Sequence, residues 1–457
     1  MKHLNVFFSL LVLNCVVVLA QPVNHSQTLV DLISTKKWFE IENYYQQHKD
    51  SIDREFVALW YLAETGYVFN RPFEAMDAYE HLIDNNPLNM DAPTLFSYLG
   101  QPLLQLCANV QEYSKGEELC QKLITLIEND TIIDSDMRLS YIQGGEQAIE
   151  NFKLFPKIYP KLTITKKKDS NVEEIELIPN ELDNGIFVNA RWNGNKLKTH
   201  FDTGASVCYI YNRAVAEKIG VTYNTNDTTT TNNGTIRGFV GAVDSLELGE
   251  FSIKNIPVFV NIEMVDPADS IQIQCDSILN LQFDIVLGIP VIRQLGVIEF
   301  DFFKNTMSFP KKIQTIAKRN LFIDNSSNLF MNMEICNASF LSYFDTGGRE
   351  GLTINTDFYE KYKQHISIRS TAKQVRSAVG SCNETSIYNR YVYHCPQIDI
   401  KINGQEITMI DDCSVAKDKE NDNEHGVAEG GFMGNAIFKY CKKATFDFNN
   451  MIFSVEQ

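Results

Sequence analysis

Positive charge is in short supply in this chain. Of 457 residues, 41 are Lys or Arg against 58 Asp or Glu, a formal net charge of −17. A nucleic-acid-binding surface needs clustered cations to displace phosphate counterions, so this balance argues against nucleic acid as a partner. No Cys-x-x-Cys pair or Cys/His cluster has metal-ligand spacing, and no zinc site is expected. A His-Glu-x-x-His helix, a Gly-x-Ser-x-Gly elbow and a Walker-type glycine loop are also missing. Those gaps exclude the common frames for a zinc-bound nucleophile, a serine nucleophile and a phosphate cradle. Beyond the first twenty residues no apolar run approaches the ~20 residues that a membrane-spanning helix needs.

Those first residues do hold an apolar run. Lys2 and His3 precede Val6 to Leu19, and Ala20 follows as a small residue before Gln21-Pro22. Residues 1–20 therefore read as a signal peptide, which implies export to the periplasm or the extracellular space. Export permits disulfides. Of ten cysteines, Cys15 lies in this segment, and the odd remainder leaves at least one thiol unpaired. Cys382 with Cys395, and Cys107 with Cys120, are the pairs to test first.

Glycine and proline are sparse from Ser26 to Tyr159, and apolar residues recur at three- and four-residue spacing. This is the periodicity of amphipathic helices. Segments open at Trp38, Phe73 and Tyr113, a recurrence of roughly 35 to 40 residues that suits a helix-pair solenoid. The segment from Phe73 places Ala75, Ala78 and Tyr79 on one side and stops at Asn85-Asn86-Pro87. It loosely resembles the second helix of a tetratricopeptide repeat, with an antiparallel helical bundle as the alternative. A protein partner on this region is one expectation, and folding over a neighbouring cleft is another.

The run Lys166 to Ser170 marks a change of periodicity, beyond which the chain is β-rich. Gly185 to Trp192 alternates, Asn193-Gly194 is a hairpin turn signal, and a second strand runs to Phe201. At its end stands Asp202-Thr203-Gly204-Ala205-Ser206. The same layout returns at Asn328 to Ile335, a turn at Cys336 to Ser339, and a strand to Phe344 ending in Asp345-Thr346-Gly347-Gly348. Each copy continues with a short helical segment, at Asn212 to Gly220 and Asn355 to Gln364. A hairpin region follows, Thr235 to Val260 and then Val375 to Ile410. Next comes an apolar pair closed by glycine, Val286-Leu287-Gly288 and Phe432-Met433-Gly434, and then a tail, Val297 to Phe302 and Ala444 to Phe448. Five landmarks in one order indicate an internal duplication. The expected architecture is multidomain α plus all-β: residues 1–20 a signal peptide, 21–160 a helical-repeat domain, 173–316 a first β lobe and 317–457 a second.

Two Asp-Thr-Gly segments, each followed by an apolar-apolar-Gly element, resemble the aspartic proteases of the pepsin and retropepsin clan. The resemblance covers about Glu173 to Gln457 and implies one active site between two lobes. It implies catalytic roles for Asp202 and Asp345, with loop support from Thr203, Gly204, Thr346 and Gly347. Leu287, Gly288, Met433 and Gly434 would brace the loops from behind. The implied substrate is a peptide or protein, lying extended under hairpin flaps hinged at Gly234, Gly238 or Gly241 and at Ala378 to Ser381. No metal and no cofactor are implied, and two lobes in one chain imply activity as a monomer. Two carboxyls about 3 Å apart share one proton, which supplies a base and an acid at one place. Gly348-Arg349 departs from the first loop's Ala205-Ser206. A glycine there is expected to loosen the loop, and Arg349 to lower the carboxyl pKa. That departure keeps a non-cleaving peptide-binding protein open as an alternative, and a helical scaffold is the other.

Overall fold

The computed structural model describes residues 23–167, 173–179, 185–231, 236–262, 266, 268–311, 317–378, 387–417 and 430–457. The expected signal peptide, Lys168 to Ser170, Gly234 and Val379 to Cys382 lie outside them.

The helical region runs α1 (His25–Thr35), α2 (Trp38–His48), α3 (Glu55–Val68), α4 (Pro72–Asn85) and α5 (Ala92–Leu95). A π turn leads from α5 into α6 (Gln101–Asn109), followed by α7 (Tyr113–Asn129) and α8 (Ser135–Ile158). Helices therefore begin at or beside Trp38, Phe73 and Tyr113. Pro72 occupies the first turn of α4, where its missing N–H costs nothing, and Asn86 closes the helix at φ 36°. Ala75, Ala78 and Tyr79 are all buried. Cys107 and Cys120 are free buried thiols, so the expected bridge between α6 and α7 is not formed.

Twenty-one strands follow in three sheets among the described residues. In the first lobe, β1 (Thr163–Lys166) adds to the edge of β8 (Phe251–Asn261). β3 (Ile186–Trp192) and β4 (Asn195–Asp202) form the expected hairpin, and Asn193 and Gly194 take φ 45° and 79° at its turn. β4 lies parallel to β9 (Ile285–Gly288), and β5 (Cys208–Ile210) lies parallel to β8. β6 (Thr222–Thr231) and β7 (Ile236–Leu248) form the hairpin beside them. In the second lobe β13 (Leu329–Ile335) pairs with β14 (Ala338–Phe344), and β14 runs parallel to β19 (Gly430–Met433). β15 (Leu352–Ile354) runs parallel to β18 (Gln405–Ala416), and β16 (Lys373–Ala378) pairs with β17 (Ile387–Ile402). The pairings of β3, β4, β5 and β9 thus recur at β13, β14, β15 and β19.

Short helices α9 (Arg213–Ile219) and α12 (Thr356–Tyr362) sit where the polar segments after each Asp-Thr-Gly were read. Gly238 and Gly241 pair on both sides within β7 and are not hinges. A Cβ at Gly238 would sit 2.4 Å from the Phe259 ring. Cys395 and Cys413 stand opposite each other on β17 and β18, both as free thiols, so Cys395 does not bridge to Cys382.

A third, antiparallel sheet joins the lobes. Its order is β2 (Ile175–Glu176), β11 (Thr306–Ser308), β10 (Val297–Asp301), β20 (Lys443–Asp447) and β21 (Ile452–Glu456). β10 belongs to the first lobe and β20 to the second, and they pair over five positions from Val297↔Asp447 to Asp301↔Lys443. The residue before each aspartate packs onto this platform. Phe201 meets Phe300 edge-on at 5.2 Å, and Phe344 stacks on Phe446 at 5.5 Å. Side chains alternate along a strand, so burying each Phe downward presents the adjoining Asp upward. All four rings are essentially inaccessible to solvent.

The helical region docks on the platform end of the lobes. Asn70, at φ 57° between α3 and α4, donates from Nδ2 to the carbonyls of Arg293 at 3.0 Å and Phe448 at 2.9 Å. Phe39 packs edge-on to Phe322 at 5.8 Å, and Arg319 pairs with Glu42 at 2.8 Å. Arg293, Phe448 and Phe322 are not residues of the strands that end in the aspartates. We expect Asn70→Gly, which keeps the backbone geometry but removes both bonds, to cost about 2 kcal/mol in urea unfolding. The same variant should speed protease nicking between residues 160 and 173. An unchanged midpoint and nicking rate would show that Asn70 does not fasten the docking.

Candidate active site

β4 and β14 end side by side, and their next residues interlock. Thr203 and Thr346 are completely buried. The Thr203 N–H donates to Thr346 Oγ1 at 3.0 Å, and the Thr346 N–H donates to Thr203 Oγ1 at 3.0 Å. Each hydroxyl in turn donates to a carbonyl of the other strand. Thr203 Oγ1 reaches the Phe344 oxygen at 2.8 Å, and Thr346 Oγ1 reaches the Phe201 oxygen at 3.0 Å. A hydroxyl both donates and accepts, which is why threonine serves at this spot.

The glycines are needed for space. A Cβ at Gly204 would stand 2.3 Å from Asp345 Cγ, and one at Gly347 would stand 2.3 Å from Asp202 Cγ. Neither glycine has a positive φ. Both glycines sit in turns, the second closed by Gly348 N–H on the Asp345 carbonyl, and a steric reason adds to that: each Asp lies over the other loop's glycine. The two carboxyls lie close enough for each to act on the other's ionisation. Gly204 N–H donates to Asp202 Oδ1 at 2.8 Å. Gly347 and Gly348 N–H donate to Asp345 Oδ1 at 2.8 and 3.0 Å. Burial and then the charge of Asp345 hold the Asp202 carboxyl well above its ordinary value of 3.8. The pair thus holds a proton between two oxygens at pH values where a lone carboxyl has lost it.

The apolar-Gly elements stand behind the loops. Leu287 and Met433 are buried, at register positions Phe201↔Leu287 and Phe344↔Met433. A Cβ at Gly288 would lie 2.7 Å from the Ala205 carbonyl oxygen, and one at Gly434 would lie 2.6 Å from the Gly348 carbonyl oxygen. These carbonyls accept from Ile289 N–H at 2.9 Å and Asn435 N–H at 2.7 Å. All ten residues expected at the site from sequence meet around one point.

Gly348 proves to be a fitted residue. A Cβ there would lie 2.5 Å from the Phe432 ring, and the Gly348 N–H donates to Asp345 at both Oδ1 and the backbone oxygen, at 3.0 and 3.2 Å. Phe432 takes the register position that Val286 takes in the first lobe. A larger brace residue thus goes with a smaller loop residue, and the loop is not loosened. Arg349 is exposed, and the Asp202 shift is upward rather than the downward one expected from a neighbouring cation. We expect Gly348→Ala to destabilise the fold by about 1–3 kcal/mol through overpacking. Adding Phe432→Val should recover most of that loss, because Ala with Val is the first lobe's pairing. Thermal melts of the two variants decide this, and a double variant no better than the single would refute the size match.

A sequence profile described as Aspartyl protease matches residues 188–291, which include Asp202, Leu287 and Gly288. Among solved structures, a retropepsin-like aspartic protease from Rickettsia conorii is 21% identical, with a TM-score of 0.21 over 32% of this chain and 94% of that one. An aspartic proteinase from Irpex lacteus is 12% identical, with a TM-score of 0.36 over 63% of this chain and 97% of that one. No curated protein matches this chain. The chain resembles retropepsin-like and pepsin-like aspartic proteases.

Proposed function

We propose that this chain is an aspartic endopeptidase in which Asp202 and Asp345 activate one water between them. The observation that carries the reading is the crossed seating of the two carboxyls, each lying against the other loop's glycine and held by N–H donors of its own loop. With one proton on the pair, the ionised aspartate takes a proton from water as its oxygen attacks the peptide carbonyl carbon. The protonated aspartate gives its proton to the carbonyl oxygen. Collapse of the tetrahedral intermediate breaks the C–N bond: the amine leaves with a proton from the dyad, and a hydroxyl of the intermediate returns one to it as the carboxyl forms. The products are a new carboxyl and a new amine, and the dyad ends with the single proton it began with.

The lobes at 173–316 and 317–457 read as duplicated units, each supplying one aspartate, so one chain suffices and the active form is a monomer. The signal-like residues 1–20 support a location outside the cytoplasm, in the periplasm or beyond the cell. The 21–160 region serves as a docking scaffold for a protein partner, consistent with its seat on the platform end. Incubating the purified chain with a peptide library from about pH 3 to 7, with and without an aspartic-protease transition-state inhibitor, tests the activity. Inhibitor-sensitive cleavage is expected. Peptide binding without products would favour the non-cleaving alternative.

A further inference from the structure

The two strands that deliver the aspartates differ at one register position. Two residues before the aspartate, β4 carries His200 and β14 carries Tyr343, and this position shares a strand face with the Asp. His200 stays in its own lobe, its ring stacked on Phe187 at 4.5 Å and on Phe283 at 5.4 Å. Tyr343 crosses between lobes: it is 4% exposed, and its hydroxyl donates to the Gly204 carbonyl oxygen at 3.2 Å.

That carbonyl is half of a planar unit. The peptide linking Gly204 to Ala205 has the Gly204 oxygen at one end and the Ala205 N–H at the other, and the two move together. The Ala205 N–H lies close enough to the Asp202 carboxyl to pull its pKa down, alongside the Gly204 N–H that donates to it at 2.8 Å. Gripping the oxygen from the second lobe therefore aims the N–H at the first aspartate. Burial pushes the phenol well above its ordinary range, and the charges of Asp345 and Asp202 push it further, so it remains a donor across any working pH. The ring is fixed as well, packed against Phe330 at 5.8 Å and Phe432 at 5.9 Å.

We propose that Tyr343 is a positioning residue for the dyad: through the Gly204 carbonyl it orients the Ala205 N–H that supports the Asp202 carboxylate, and so sets the pH at which the pair first ionises. The proposal rests on the dyad being catalytic, and the experiment separates the two claims. Tyr343→Phe keeps the ring and removes only the donor. On a cleaved peptide, kcat should fall about tenfold with KM within twofold, the scale of one lost hydrogen bond to a group at the reacting centre. The acid limb of the kcat profile should move to higher pH, because a carboxylate that loses a donor ionises less readily. Replacing Tyr343 by 3-fluorotyrosine, a stronger donor of nearly the same shape, should move that limb the other way, which keeps the test available if Tyr343→Phe does not fold. An acid limb unmoved in a folded Tyr343→Phe variant would overturn the proposal, whatever happens to melting temperature or the height of the profile. Loss of activity in Asp202→Asn alongside an unchanged Tyr343→Phe would sink the role of Tyr343 alone. Full activity in Asp202→Asn would sink the dyad itself.

Discussion

Asp202→Asn and Asp345→Asn should each abolish the proposed peptide hydrolysis, with rates down by about a thousandfold or more, while the fold is kept. General acid and base assistance are each worth about 10²–10⁴ in rate, and either substitution removes both because the roles belong to one shared proton. The double variant should be no slower than either single one, since groups that act as a unit do not add. Asn preserves the shape of Asp, so the loss cannot be assigned to collapse of a site where Gly204 and Gly347 lie against the opposite carboxyls. Stability moves with pH in a defined direction. The folded-state pKa of Asp202 is raised above the ordinary 3.8, so the native state binds more protons than the unfolded chain above that value. The contribution is full below about pH 4 and is lost as pH rises through the raised pKa. Asp202→Asn carries no such titration, and its unfolding midpoint should depend less on pH across this window. Melting curves from about pH 3 to 7 on both proteins check the sign. A wild type that gains stability relative to the variant as pH rises would contradict it.

Thr203→Val and Thr346→Val have the second largest expected effect. Each substitution keeps the size and shape of the side chain and orphans two buried backbone groups. For Thr203 these are the Thr346 N–H and the Phe344 carbonyl. For Thr346 they are the Thr203 N–H and the Phe201 carbonyl. At about 1–3 kcal/mol for each buried unsatisfied group, either variant should lose about 2–5 kcal/mol. Activity should fall by about a hundredfold, because the four bonds set the separation of the carboxyls and a displacement near 1 Å is costly. The double variant should cost less than the two singles together, since loops already parted have less left to lose. Thr199→Val is the control. Its hydroxyl also serves two partners, accepting from Trp192 Nε1 at 2.9 Å and donating to the Leu197 carbonyl at 3.3 Å, but all three residues lie in one lobe. It should lose stability and keep its rate. If Thr203→Val behaves like Thr199→Val, the cross-lobe bonds are not what positions the dyad.

Much of the site was legible because it is written twice in local patterns. The Phe-Asp-Thr-Gly segments, the Asn193-Gly194 turn and the apolar-Gly elements each depend on a few consecutive residues. The turn at Cys336-Asn337 was placed by its position in the repeat, and both residues adopt the left-handed geometry, at φ 54° and 59°. What sequence missed depends on contacts between distant segments. The platform pairing of β10 with β20 joins residues about 150 apart, and no periodicity announces it. The steric role of Gly204 arises from an aspartate in the other lobe, which no local pattern shows. Gly348 looked like a loosening because its partner, Phe432, lies far along the chain. Tyr343 lay unremarked in the strand that leads to Phe344, and only its hydroxyl, directed at Gly204, marks it out. Cysteine spacing also misled: Cys107 and Cys120 are near in sequence but remain separate thiols, while Cys395 faces Cys413 across a hairpin whose register spacing alone does not give.

The most direct test of the central claim is a mass-spectrometric assay of a peptide library at acid pH, run in parallel on the wild-type chain, Asp202→Asn and Asp345→Asn. A dyad sharing one proton predicts new peptide termini from the wild type and none from either variant. Cleavage by either variant at the wild-type rate, or none by a folded wild type, would contradict it.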